Sequence, residues 1–183
     1  MSTEKQPKKK LKSLLSAISP IIIGLAIGAT LNGLVIFNAI VPTESMETTI
    51  MTNDRLIGLR LAYLNSEPER GDIITFDYPD NPKITLVKRI VGLPGETITI
   101  VDGEVFIDGD AVPLDEPYIN PAEVPVGDFG PYVVPDGCYF VLGDNRNHSV
   151  DSRYWESTHF VSKESITSKI FYRYYPSFSK INE

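Results

Sequence analysis

From Pro20 to Val41 the chain carries no charged side chain. That run limits what everything on either side of it can do. Its length is close to the about 20 residues that a helix needs, at ~1.5 Å per residue, to cross a bilayer core. A cleavable signal peptide would have an apolar region of roughly 7–15 residues ending in small residues of the A-x-A kind. This run is longer, and Phe37-Asn38-Ala39-Ile40-Val41 is a poor cleavage site. A buried helix of a soluble domain is the third option, and the length and lack of charge count against it. The run is therefore read as a retained transmembrane anchor over residues 20–41. Residues 1–12 carry Lys5, Lys8, Lys9, Lys10 and Lys12 against Glu4. This places a basic tail, residues 1–19, in the cytoplasm and residues 42–183 on the far side of the membrane.

The net charge of −7 includes that basic tail, so the exported part is more acidic still. An acidic body excludes nucleic acid as the expected partner, because phosphate binding needs a basic surface. Cys138 is the one cysteine, which excludes an internal disulfide and a multi-cysteine metal site. With His148 and His159 as the only histidines, a histidine-rich metal centre is not expected either.

Residues 42–183 read as short β-type runs between turn signals, with no long 3.6-residue period. Arg55–Leu61, Asp72–Phe76, Ile84–Val91, Thr97–Val101, Glu104–Ile107, Cys138–Leu142 and Ser168–Tyr174 are the expected strands. Asp102-Gly103 between two of them is a two-residue hairpin signal. Residues 111–136 hold six prolines and little periodicity, so they are expected to form an extended surface connection. The fold class is mostly β, an antiparallel sheet domain behind one N-terminal helix.

Three stretches hold candidate chemistry. Gly143-Asp144-Asn145-Arg146-Asn147-His148-Ser149-Val150-Asp151-Ser152-Arg153 leaves the Cys138–Leu142 strand. It is dense in directed polar groups that must largely satisfy one another, because an unpaired buried one costs roughly 1–3 kcal/mol. Lys88 lies in Leu86-Val87-Lys88-Arg89-Ile90-Val91, where alternation puts it on the face of Leu86 and Ile90 and turns Arg89 to the other. A lysine there is either an edge-strand gatekeeper or a functional group. As a base it would need its pKa, ordinarily about 10.4, lowered by burial. Ser45, in Pro42-Thr43-Glu44-Ser45-Met46-Glu47-Thr48-Thr49-Ile50, is either part of a hydroxyl-rich loop beside the membrane or a nucleophile.

These three blocks, in this order behind an anchor, resemble the type I signal peptidases. Pro42-Thr43-Glu44-Ser45-Met46 is the first match and Lys88-Arg89-Ile90-Val91-Gly92-Leu93-Pro94-Gly95-Glu96 the second. The Gly143–Arg153 loop fills every fixed position of the family pattern G-D-N-R-x-x-S-x-D-S-R. The resemblance implies a membrane-bound serine endopeptidase with a Ser-Lys dyad and no cofactor. It would remove signal peptides from exported preproteins after small residues. Ser45 matches the nucleophile and Lys88 the general base. The Ser45 N–H and Thr43 hydroxyl match the oxyanion positions, and Ser149 matches the residue that orients the lysine. Asp144 with Arg89, and Asp151 with Arg153, match bracing salt bridges. Met46 matches a residue of the substrate pocket. Preprotein signal peptides, the lipid bilayer and the secretion translocon are the implied partners, at the outer face of the cytoplasmic membrane. The chain departs from the usual S-M-x-P-T-L at Thr48, where the family has proline, and has Asn53 where the family has glycine. A dedicated processing protease of the same fold and a catalytically silent homologue are the alternative readings.

Overall fold

The computed structural model describes residues 6–181. It divides after Ile36 into two compact units. The first contains one helix, α1 (Gln6–Leu34), with Pro20 inside it. Residues 1–5 of the expected basic tail lie outside the described residues, and residues 6–19 belong to α1. Ile21, Ile22, Ile23, Leu25 and Ile27 are all exposed on it. Among the described residues no helix is long and apolar enough to cross a membrane.

The uncharged run does not continue as one helix. After α1 ends at Leu34, strand β1 (Ile36–Ile40) begins. Its exposure alternates along Ile36-Phe37-Asn38-Ala39-Ile40, the pattern of a strand with one covered face. Two isoleucines and a phenylalanine in five positions favour the pleated backbone over the helix.

The second unit is an antiparallel β-sheet domain, as the alternating runs imply. Its strands are β2 (Arg55–Leu59), β3 (Ile73–Tyr78), β4 (Asn81–Gly92), β5 (Thr97–Val101) and β6 (Glu104–Ile107), followed by β7 (Phe129–Val133), β8 (Cys138–Leu142), β9 (Val161–Ser162), β10 (Ile166–Tyr175) and β11 (Ser179–Lys180). The main sheet runs β1-β2-β10-β3-β4-β8-β9, with β11 beside β10. A smaller sheet runs β6-β5-β7. The hairpin at Asp102-Gly103 forms as expected. Both residues have positive φ, 49° and 81°, which is the backbone a two-residue primed turn requires.

One strand falls where the sequence reading expected only a surface connection. Phe129–Val133 pairs with β5 at Thr97↔Val133 and Ile98↔Tyr132. Its Gly130-Pro131 pair hides it, because proline cannot donate to a ladder and is confined to edges. β7 is indeed an edge strand of the small sheet.

Three apolar clusters hold the sheets together. Val41, Met46, Ile50, Leu56, Ile73 and Ile170 form one, and Ile74, Phe76, Ile90, Val141 and Trp155 belong to the second. The third joins the small sheet to β4 and β8 through Val91, Ile98, Ile100, Phe140 and Leu142. Strand β4 therefore lies between β3 and β8 and touches all three clusters. Lys88 opposes Ile74 on β3, while Arg89 opposes both Ile73 and Leu142. An edge-strand role for Lys88 is excluded by that placement.

Candidate active site

The segment 41–54 closes on itself before it presents any side chain. Val41 N–H donates to the Asp54 carbonyl at 3.0 Å, and Asn53 N–H donates to the Val41 carbonyl at 2.7 Å. Asn53 takes a left-handed φ of 71°, which asparagine tolerates where most side chains do not. The Asp54 carboxylate accepts from Met51 N–H at 2.9 Å and from Arg173 Nη1 at 3.0 Å. Within the loop, Ile50 N–H donates to the Met46 carbonyl at 2.8 Å. Met46 and Ile50 are fully buried in the first cluster. Met46 thus points into the core beneath the loop, and the adjacent Ser45 faces the other way.

Ser45 meets Lys88 there. Lys88 Nζ donates to Ser45 Oγ at 2.6 Å and to the Val87 carbonyl at 3.1 Å. Ser45 is 8% exposed and Lys88 2%. Burial is the main influence on the amine and brings its pKa down to about 8. Nearby Asp151 and Asp144 pull it back up, and Arg153 adds to the lowering. A neutral amine in this position reverses the contact, so that Ser45 O–H donates to Nζ. That is the geometry of a base taking a serine proton. Exposed Thr43 lies on the open side, its Oγ1 3.4 Å from Ser45 Oγ. Among the described residues no acceptor is paired with the Ser45 N–H.

The Gly143–Arg153 loop packs behind this pair. Asn145 N–H donates to the Ser45 carbonyl at 3.1 Å, and Asn145 Nδ2 donates to the Glu44 carbonyl at 3.1 Å. Gly143 makes that approach sterically feasible. A Cβ at this position would sit 2.4 Å from the Ser45 carbonyl oxygen and 2.3 Å from Ser149 Oγ. Asp151 is the hub. It accepts from Gly143 N–H at 3.0 Å, from Ser149 Oγ at 2.7 Å, and from Arg153 Nε and Nη2 at 2.8 and 2.9 Å. Ser149 is accordingly buried with its hydroxyl on Asp151, while the lysine's contacts are Ser45 and Val87. Arg89 grips Asp144 with two parallel bonds of 2.8 and 2.7 Å, both side chains almost closed off from water. Removing one member of such a pair costs about 3–5 kcal/mol, because the other charge is stranded.

Sequence reasoning passed over several groups that touch this frame. Thr49 Oγ1 donates to Asp144 Oδ2 at 2.5 Å. Arg146 forms a two-pronged ion pair with Glu116. The Tyr118 ring lies 3.8 Å from the Arg89 guanidinium carbon. Glu116 and Tyr118 come from the proline-rich stretch, and no spacing signal linked them to the motifs. A cavity of about 660 Å³ opens beside them, lined by Thr48, Thr49, Arg89, Tyr118 and Arg173 among others. Among the described residues no His, Cys, Asp and Glu cluster could hold a metal ion.

The family model described as "Signal peptidase, peptidase S26" matches residues 14–175. The chain belongs to the signal peptidase family. A probable signal peptidase I-2 of Synechocystis sp. is 43% identical over 141 residues, 74% of this chain and 62% of that relative. The match thus spans less than two thirds of that relative's length. Signal peptidase I of Bacillus licheniformis is 36% identical over 159 residues, 82% of this chain and 84% of the relative. A crystal structure of a signal peptidase I from Enterococcus faecalis has 38% identity and a TM-score of 0.47. It covers 57% of this chain and 97% of the other. In this signal peptidase family member the matched stretch includes Ser45, Lys88 and the whole Gly143–Arg153 loop.

Proposed function

We propose that the chain is a membrane-anchored serine endopeptidase that cleaves signal peptides from exported preproteins after small residues. The observation that carries this reading is the 2.6 Å contact between Lys88 Nζ and Ser45 Oγ inside a nearly water-free site. Neutral Lys88 takes the Ser45 proton as Oγ attacks the scissile carbonyl, and later returns it to the leaving amine. Ser45 N–H and the Thr43 hydroxyl receive the developing oxyanion. Lys88 then activates water to release the acyl group. Ser149, through Asp151, keeps the wall beside the amine in place. The partners of this reading are preprotein signal peptides, the lipid bilayer and the secretion translocon.

The anchor is the other half of the proposal. Ile21, Ile22, Ile23, Leu25 and Ile27 are exposed together on α1, an arrangement that favours lipid over water. The lysines of residues 1–12 place its N-terminal end in the cytoplasm. Everything from the catalytic domain onward then works at the outer face.

The test uses the full chain in detergent with a preprotein or an Ala-x-Ala peptide. Wild type cleaves after the second alanine, whereas Ser45→Ala and Lys88→Met give no turnover and keep the wild-type circular dichroism. Turnover by either folded variant would overturn the dyad assignment.

A further inference from the structure

The segment Glu116-Pro117-Tyr118 lies outside all three motif blocks, yet it touches each of them. The Tyr118 ring covers the Arg89 guanidinium of the lysine block, 3.8 Å from its central carbon. The Tyr118 carbonyl accepts from Thr48 Oγ1 of the nucleophile loop at 3.4 Å. Tyr118 O–H donates to Glu116 Oε1 at 2.6 Å, and Glu116 holds Arg146 of the polar loop through two bonds. Arg146 Nε in turn donates to the Gly143 carbonyl at 3.1 Å, and the Arg146 carbonyl accepts from Arg153 Nη2 at 2.7 Å. The ring of contacts closes through Asp144, which Arg89 and Thr49 share.

We propose that Glu116 and Tyr118 are positioning residues of the Ser45–Lys88 site, acting through Arg89 and Arg146. This rests on the peptidase reading above. Their effect follows from geometry. Arg89 is held from one side by the Asp144 carboxylate and the Gly71 carbonyl, and Tyr118 covers its face. An aromatic face over a buried guanidinium restricts tilting and adds a cation–π attraction. A looser Arg89 leaves Asp144 less neutralised, and Asp144 is one of the charges that holds the Lys88 proton on. Glu116 does the equivalent for Arg146, fixing the turn that carries Gly143 and Asn145 against Ser45. Burial of the Tyr118 phenol, together with the Glu116 carboxylate beside it, raises its pKa far above the usual range. The phenol therefore stays a donor to Glu116 across the working pH range.

Four full-length proteins in detergent decide the matter: wild type, Tyr118→Phe, Tyr118→Leu and Glu116→Gln. Each is assayed on an Ala-x-Ala peptide for kcat, KM and the pH dependence of kcat. Tyr118→Leu keeps apolar bulk but removes the aromatic face. Its kcat should fall about tenfold with KM within about twofold, and its acid limb should move to higher pH. Tyr118→Phe restores the face, and with it the acid limb and most of kcat. Glu116→Gln keeps volume but leaves the buried Arg146 charge unbalanced, so it should lose stability in a melting curve and lower kcat without the shift of the limb. Unchanged kcat and limb in Tyr118→Leu overturns the inference, as does an equal loss in Leu and Phe variants with the limb unmoved. Failure of wild type itself to cleave would instead sink the peptidase reading.

Discussion

Asn145 N–H donates to the Ser45 carbonyl at 3.1 Å, across a sequence gap that no local rule connects. The polar loop therefore holds Ser45 by its backbone, leaving the Ser45 side chain for Lys88. Gly143, two residues earlier, lets the two segments come this close. The site is a contact between two loops, stabilised from below by Met46 and from behind by Asp151.

Gly143→Ala tests that approach. The added methyl would press on the Ser45 carbonyl and on Ser149, neither of which is a free side-chain end. We expect kcat to fall by roughly 100-fold, since displacement of about 1 Å at a reacting group has effects of that size. Peptide hydrolysis and a melting curve measured on the same preparation check it. A fully active Gly143→Ala protein would show that the loop approach is not needed.

Asp151 and Ser149 should separate stability from activity. Asp151→Ala strands the buried Arg153 and removes the acceptor of Gly143 N–H, so a loss of about 3–5 kcal/mol is expected in chemical denaturation. Ser149→Ala removes one bond to Asp151 and should cost only about 1 kcal/mol, with a much larger relative effect on kcat. Equal destabilisation by the two changes would contradict the role of Asp151 as hub.

Lys88 also gives a stability signature. Its folded pKa, about 8, is below the unfolded value of about 10.4, so the unfolded chain binds more protons between those pH values. Below pH 8 the folded state carries a buried cation, and that penalty is relieved as pH rises toward 10.4. Lys88→Met should therefore be the more stable protein at pH 7, by ~1–3 kcal/mol, and the advantage should shrink by pH 10. Denaturant midpoints at the two pH values measure it. A Lys88→Met advantage that grows with pH contradicts the burial account.

The anchor proposal has a separate readout. The full chain should remain in the membrane pellet after alkaline carbonate extraction. Replacing Ile22 and Leu25 together by aspartate should release it, because each charge at mid-bilayer costs about 2.5–3.5 kcal/mol on insertion scales. Release of the wild-type chain by carbonate alone would argue against a spanning segment.

Most strands were legible because alternating β-branched residues between Gly, Pro and Asp turns leave little choice of structure. The expected strand at Ile84–Val91 appears as the longer β4, and Cys138–Leu142 appears as β8 with the same ends. Strands β9 and β11, two residues each, have no period to detect, and β7 is masked by Gly130-Pro131. The uncharged run 20–41 divides between α1 and β1, because a lack of charge alone does not distinguish helix from strand. At the site, Ser45, Lys88 and the polar loop stand out by residue type and spacing. Glu116, Tyr118 and Thr49 do not, because their importance lies in contacts across 29 to 95 residues. Such contacts are set by how β4, β8 and the loops pack, and a single sequence carries no local trace of them.

The most direct measurement of the central claim is the pH dependence of kcat for the full chain on an Ala-x-Ala peptide. A buried, neutral Lys88 acting on Ser45 gives an acid limb with an apparent pKa near 8, with activity rising as pH increases through it. A limb near 6.5, the range of a histidine, or a rate independent of pH between about 6 and 9, would contradict the Ser-Lys account.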